Sequence, residues 1–459
     1  MVDIKEIISL CKRRGFVFQG SEIYGGLANT WDYGPLGAIL KKNIKDIFLK
    51  KFVESREDMF LLDSSILMHP KVWEASGHLE NFKDPLVDCK VCKERFRADK
   101  LIEESLNIKV EGYNNNNKLS EIIKEKNVKC PSCGSSDFTQ VRSFNLMFKT
   151  FQGVVEGEEN VVYLRPETAQ GIFINFLNIL NTTRAKLPFG VAQIGKSFRN
   201  EITPGNFIFR TREFEQIEIE YFVKPGEELK YFDKWQEDFY NFFNYLGIKK
   251  ENLRIREHEK EELSHYSNKT VDFEYNFPWG FGELMGIASR TDFDLKRHIE
   301  YSKVDLSYFD PYEQKKIIPY VIEPSLGVER LFLVLLVDAF EIEKLPDGSE
   351  RNLLRLSPKI APVKAAILPL KKNEPRIVNY AKDIYKELSK YFYVMYDDTG
   401  AIGKLYRRQD EIGTPFCITV DFQTIEEDNK VTIRDRDTMN QIRIDRGKLL
   451  DYLKEKLEI

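Results

Sequence analysis

Cysteine is scarce: six among 459 residues, too few for disulfides to hold a chain of this size. Long apolar runs are missing. The longest, near Leu331 to Val337, is far too short to cross a bilayer. The start, "MVDIKEIISLCKRRGF", lacks the apolar core of a signal peptide, so a cytoplasmic protein is expected. An excess of one charge is missing too. With 69 basic and 73 acidic residues the net charge is -4, which excludes bulk attraction to nucleic acid but not local patches. Regular strand-helix alternation is absent from residues 161 to 355, which argues against a Rossmann domain there. No internal repeat is found.

What is present is a globular balance, 42% hydrophobic and 31% charged, with length for two to four domains. Residues 1 to 84 read as a helix, a glycine-rich turn, a helix, and a strand near Met59 to Leu62. A short helix then enters through Pro70, where a missing N–H costs nothing. Residues 85 to 160 look like an inserted lobe, polar and without an evident core, with Asn114 to Asn117 as a loop tip. Residues 161 to 355 read as short strands around Ala192 to Arg199, Phe207 to Val223, "VDFEYNF" and "GELMGIASR". "SPKIAP" is a linker. From 360 to the end the pattern predicts a compact α/β domain with a mixed sheet.

The stretch "FRNEITPGNFIFRTREFEQIEIEYF", Phe198 to Phe222, holds three arginines and five glutamates. A regular strand would put Arg210, Arg212, Phe214, Gln216 and Glu218 on one face, with Arg199 joining across the ladder. "TPGN" at 203–206 supplies the turn. Guanidiniums match phosphate oxygens, and a phenylalanine among them can stack on a flat ring. A solvated ladder of ion pairs would use the same residues. Elsewhere "RPETAQG" carries Glu167 at a helix start, where it could simply cap. Arg330, in "EPSLGVERL", opposes its helix dipole, which a bound phosphate would relieve.

Two cysteine pairs, Cys89 with Cys92 and Cys130 with Cys133, have two-residue spacing. Four thiolates on two tight turns suit structural, tetrahedral Zn²⁺. A redox pair or four unligated thiols would share the spacing. Cys11 and Cys417 read as ordinary buried thiols. His258 and His265 are not assigned as catalytic bases.

These strings, with "WDYGPLG", "WEASGH", "HYSNKTVDFEY" and "DDTGAIGKLYRRQDEIGTPFCITVD", run in the order found in the homodimeric, class II glycyl-tRNA synthetases, and the chain resembles that family over essentially its whole length. The resemblance implies an α+β fold: an antiparallel sheet of about six strands flanked by helices, an inserted zinc-binding lobe and a C-terminal anticodon-binding domain. It implies ATP-dependent ligation of glycine to tRNA(Gly) through glycyl-adenylate, with Mg²⁺ on the phosphates. A ligase for another small amino acid and a catalytically inactive tRNA-binding relative are the alternatives.

It also implies site residues. Arg199 and Arg330 would stabilise the phosphates during catalysis. ATP would be bound by Arg199, Asn200 and Glu201, by Phe209, Arg210, Thr211, Arg212, Glu213 and Phe214, by Glu283 and Leu284, and by Gly327, Val328, Glu329 and Arg330. Phe214 would stack on adenine, with Arg330 on the other face. Glycine would be bound by Arg97 and Glu167, by Phe214, Glu215, Gln216, Ile217 and Glu218, and by Glu323, Pro324, Ser325, Leu326 and Gly327. Glu167, Glu218 and Glu323 would gather around the ammonium. The C-terminal domain holds 18 basic and 17 acidic residues, so RNA contact there would rest on Lys404, Arg407, Arg408, Arg434 and Arg436.

Overall fold

The computed structural model describes all residues except 1, 109, 111–114, 155, 156, 203, 204, 261, 265 and 459. The turn expected at 203–206 falls partly outside them, as does His265.

Seven strands form the central sheet. In chain order they are β1 (Met59–Leu62), β2 (Phe189–Phe198), β3 (Glu213–Val223), β4 (Leu253–Glu257), β5 (Lys269–Phe277), β6 (Gly280–Thr291) and β7 (Tyr320–Gly327). Their spatial order is β4-β5-β6-β7-β3-β2-β1. All neighbours are antiparallel except β1, which lies parallel to β2 at one edge. The sheet is thus one strand wider than expected.

Helix periodicity covers this sheet. Helix Pro35–Leu49 starts with proline in its first turn and buries Leu36, Leu40, Ile44 and Phe48, one residue per turn on a single stripe. Helix Glu228–Leu246 buries Phe232, Trp235, Phe239, Phe242, Phe243 and Leu246 at spacings of one to four, and Gly247 ends it with φ of 90°. The apolar run Leu331–Val337 lies in helix Val328–Ala339, buried on nearly every side in the same core. Among the described residues no helix is long and apolar enough to cross a membrane.

The inserted lobe differs from expectation. Strand Lys83–Asp88 pairs with Arg95–Arg97 and Arg142–Asn145. Behind them Val87, Leu101, Ile102, Leu119, Ile123, Phe138 and Val141 form a small apolar core. The sequence hid it because its members are spread over short elements from Val87 to Val141. Asn116 and Asn117 begin helix Asn116–Glu125 rather than a loop tip, because Asn115 caps it by accepting from the Lys118 N–H at 3.1 Å. Strand Lys149–Phe151 pairs instead with Val161–Leu164, and through it with Leu67–Met68, so the lobe's own pairing ends before 149.

The C-terminal sheet runs Val394–Tyr396, Ala365–Pro369, Phe416–Val420, Lys430–Asp435, Gln441–Asp445 in space, the first three parallel and the rest antiparallel. It is the mixed sheet expected. An ion network, buried at Arg351, Asp410, Arg434 and Glu411, ties it to the rest. Arg351 donates to Asp410 at 3.0 Å, Arg434 donates to both Asp410 oxygens at 2.7 and 3.0 Å, and Arg13 and Arg14 pair with Glu411.

Candidate active site

Strand β3 starts at Glu213, not at Phe207. Phe207–Phe209 form a single 3-10 turn, so Arg210 and Arg212 precede the strand. Their expected alternation with Phe214 therefore does not apply. Arg210 still lines the cavity above the sheet, together with Arg199, Phe214 and Arg330. Arg212 turns away and donates to the carbonyls of Glu201 and Ala28.

The guanidiniums sit on aromatic rings. Arg199 lies 5.2 Å from the centre of Phe214 and anchors its Nε on the Pro166 carbonyl at 3.0 Å. Arg330 lies over Phe209 at 4.6 Å and donates to the Glu283 carbonyl at 3.0 Å. Each ring thus carries a different arginine, with Phe214 under Arg199 and Phe209 under Arg330. Cation–π contact uses the guanidinium faces and not their N–H edges, so the N–H groups not already bonded to protein can take phosphate oxygens. Arg330 beside Glu283 holds that carboxyl below its usual range. Glu201 and Thr211 also line the cavity, and Glu201 lies 3.6 Å from Arg210.

From Glu213 onward alternation does hold, and it divides the predicted residues. Gln216 and Glu218 face the cavity side. Glu215 points to the opposite face, where it pairs with Lys41 at 2.6 Å and Lys45 at 2.8 Å; Lys41 also pairs with Glu329 at 2.7 Å. Ile217, Leu284, Leu326 and Val328 are core residues. Their side chains, with that of Glu215, do not reach a ligand in the cavity, because strand or helix geometry commits them to packing. Asn200 pairs its N–H with the Leu146 carbonyl at 2.8 Å, and Glu213 pairs outward with Lys196.

At the inner end three elements bring carboxylates together. Glu218 accepts from the Thr168 N–H at 2.8 Å, from the Thr168 hydroxyl, from Gln216 Nε2 at 3.0 Å and from the Ser325 hydroxyl at 2.9 Å. Register explains the last contact, since Ser325 lies opposite Glu218 on β7. Burial and the neighbouring Glu167 push the Glu218 carboxyl upward. Glu167 accepts from Gln170 Nε2 at 3.0 Å and lies 3.3 Å from His78. Burial opposes its charge, but His78 holds it below the usual range. Gly171 closes this corner: a Cβ there would come 1.9 Å from the Ser64 hydroxyl. Glu323 takes both its bonds from Arg290 Nη1 at 2.9 Å. Burial pushes Glu323 up to about 8 against that pairing.

Arg290 escaped the sequence reading. It is buried and sits 4.0 Å over the Tyr266 ring, and a lone arginine in "IASRTDF" carries no signal of that place. Arg97 was expected at the substrate. It pairs with Asp99 at 2.7 Å and Asp84 at 3.3 Å, at the edge of the inserted lobe, and lies within electrostatic reach of the cavity residue Glu201.

In that lobe, Cys89 and Cys133 sulfurs stand 3.6 Å apart, as do those of Cys92 and Cys130, and all four ligand atoms lie within 4.8 Å of one another. Sulfurs about 2.3 Å from a tetrahedral ion stand about 3.8 Å apart, so the set fits zinc. In the C-terminal domain Arg434 and Arg436 are buried. Arg436 donates to the carbonyls of Leu356 and Gly413 at 2.8 Å. Both serve the interdomain seam, so neither is free for RNA. Lys404, Arg407 and Arg408 line an open depression with Arg14.

Comparison with known proteins meets this geometry. A tRNA synthetase class II core domain (G, H, P, S and T) matches residues 148–339, a glycyl-tRNA synthetase insertion domain matches 105–146, and an anticodon binding domain matches 364–456. A glycine--tRNA ligase of Geobacillus kaustophilus is 60% identical over 99% of both chains. The chain belongs to the glycine--tRNA ligase family. Two more members of that family, from Caldanaerobacter subterraneus and Clostridium tetani, are 58% and 57% identical, covering 100% and 99% of this chain and 99% and 98% of theirs. As a class II glycyl-tRNA synthetase it uses ATP, glycine and tRNA. The alternative of an inactive relative is not supported.

Proposed function

We propose that the cavity over β3 and β7 is where glycine and ATP meet. Ser325 carries this reading: it lines the arginine-bearing cavity and bonds Glu218 of the carboxylate cluster, so the two halves share a wall. Arg199, Arg210 and Arg330 would hold the triphosphate, and Phe214 would stack on adenine. Glu167, Glu218 and Glu323 would surround the ammonium. A carboxylate is already charged, so the first step needs no protein nucleophile. Glycine attacks the α-phosphorus, pyrophosphate leaves, and the arginines stabilise charge on the phosphate oxygens. The terminal ribose hydroxyl of tRNA then attacks the activated carbonyl. Mg²⁺ neutralises phosphate charge when bound, and Glu283, a carboxylate lining the cavity, would hold it. Glycine offers only its charged ends, so selectivity is steric.

The inserted lobe would bind structural zinc at Cys89, Cys92, Cys130 and Cys133; four thiolates leave no open position for catalysis. We assign 1–84 and 161–355 to the catalytic unit, with Lys149–Phe151 joined to it by strand pairing, and 360–459 to the anticodon unit. Lys404 and Arg407 would grip the tRNA backbone. A second copy would cover edge strand β1, where Leu61 is exposed, in a homodimer. The setting is the cytoplasm. ATP–pyrophosphate exchange with glycine, alanine and serine tests the central reading: exchange with glycine alone is expected, and exchange supported equally by alanine would overturn it.

A further inference from the structure

Glu220 lies on β3 two residues beyond Glu218, so alternation gives both side chains the same face. It is wholly buried, and neither carboxylate oxygen has a hydrogen-bond partner among the described residues. The other acids of the cluster are engaged. Glu218 is held by Thr168, Gln216 and Ser325, Glu323 by Arg290, and Asp294 by Arg290 and Gln170. The charged groups that act on Glu220 are Glu218 on its own strand, Glu323 on β7, Arg290 on β6 and Asp294 on helix Phe293–Ser302. Its β2 neighbour, Val191, brings no charge. The one cation among these is already shared between Glu323 and Asp294.

An ionised carboxylate in such a place costs several kcal/mol, roughly the penalty of a buried unpaired charge. Burial and Glu323 push Glu220 well above the usual carboxylate range. An apolar side chain of similar size would avoid the penalty, so plain packing does not account for a glutamate there.

We propose that Glu220 is the proton reserve of the amino-acid pocket: neutral while the pocket is empty, it releases its proton when the glycine ammonium enters. One carboxyl O–H bond breaks, the proton passes to solvent, and a carboxylate remains to face the new positive charge. Nothing is oxidised or reduced, and the ammonium enters unchanged. The proposal rests on the reading of Glu167, Glu218 and Glu323 as the ammonium site. It makes glycine binding stronger as pH rises, since low pH keeps Glu220 protonated, until glycine's own amine begins to discharge.

Calorimetric titration of glycine into the full chain, in buffers of different ionisation enthalpy near pH 7.5, should show release of about 0.5–1 proton per glycine. Glu220→Gln, which has no such proton, should release fewer. It should also raise KM for glycine in ATP–pyrophosphate exchange and flatten its dependence on pH, with the change falling mainly in KM. Wild-type proton release in Glu220→Gln, or none in the wild type, overturns the proposal. Should that variant not fold, infrared difference spectra of the wild type decide: glycine must remove a protonated-carboxyl C=O stretch, and its persistence overturns the proposal. Glu218→Gln separates the two readings. If it binds glycine normally, the ammonium site itself is misassigned.

Discussion

Arg290 donates through Nη1 to both oxygens of Glu323 at 2.9 Å, while its Nε and Nη2 reach Asp294 at 2.7 and 2.9 Å. One buried cation thus pairs with two acids at the inner end of the site. Removing it leaves both uncompensated. Arg290→Met should destabilise the protein by about 3–5 kcal/mol, as breaking a buried pair does. A thermal midpoint within a degree or so of wild type would contradict this role.

Among the described residues the Arg199 side chain makes one hydrogen bond, on Pro166, and otherwise rests on aromatic rings at the cavity. Arg199→Ala should therefore leave the fold intact. Adenylate formation should fall by about 100-fold or more, the loss typical of a removed oxyanion donor. ATP–pyrophosphate exchange beside circular dichroism measures both, and wild-type exchange would end the phosphate assignment.

Zinc should be present at about one ion per chain, on the four lobe cysteines. Chelation, or Cys130→Ser, should loosen the lobe while the central sheet keeps its core. Proteolysis focused between 89 and 142 would report it. Metal-free protein with an intact, protease-resistant lobe would refute structural zinc.

Lys364 is buried beside the interdomain linker and donates to the carbonyls of Pro358 and Lys359 at 2.7 and 2.6 Å. Burial pulls it down to about 7. The unfolded chain then holds more protons than the folded one between that value and the ordinary lysine range. Stability contributed at this site should rise with pH across that window. Lys364→Met should lose this increment, which urea titrations at pH 7 and pH 9 compare; an unchanged difference would rule it out.

Lys404 and Arg407 have no carboxylate partner among the ion pairs of the described residues, unlike Arg14 and Arg408. Replacing either by alanine should weaken tRNA binding and lower the slope of log affinity against log salt by about 1. Glycine activation should be unchanged. An unaltered slope would move the RNA contact elsewhere.

Much of this was legible in the residues. Period-two and period-3.6 patterning marked β1, β2, β5 and β6 and the helices of the C-terminal domain, because those signals depend only on neighbours along the chain; β7 carried no such mark. The same local logic exposed the cysteine pairs. Where the chain turned before β3 was not legible, because residues 207–212 are as apolar and charged as a strand would be. Only the fold stacked Phe209 and Phe214 under different arginines.

By itself, the sequence determined the family, the order of its segments and the chemical types at the site, since each is a property of adjacent residues. Tertiary structure alone decided which acids meet. Glu215 and Glu218 look alike in the chain, yet sheet alternation sends one to Lys41 and the other to Ser325. Arg290 joins Glu323, and Glu220 is left without a hydrogen-bond partner among the described residues, because β6, β7 and β3 are neighbours in space and distant in sequence. Burial then sets their charge, which no local pattern encodes.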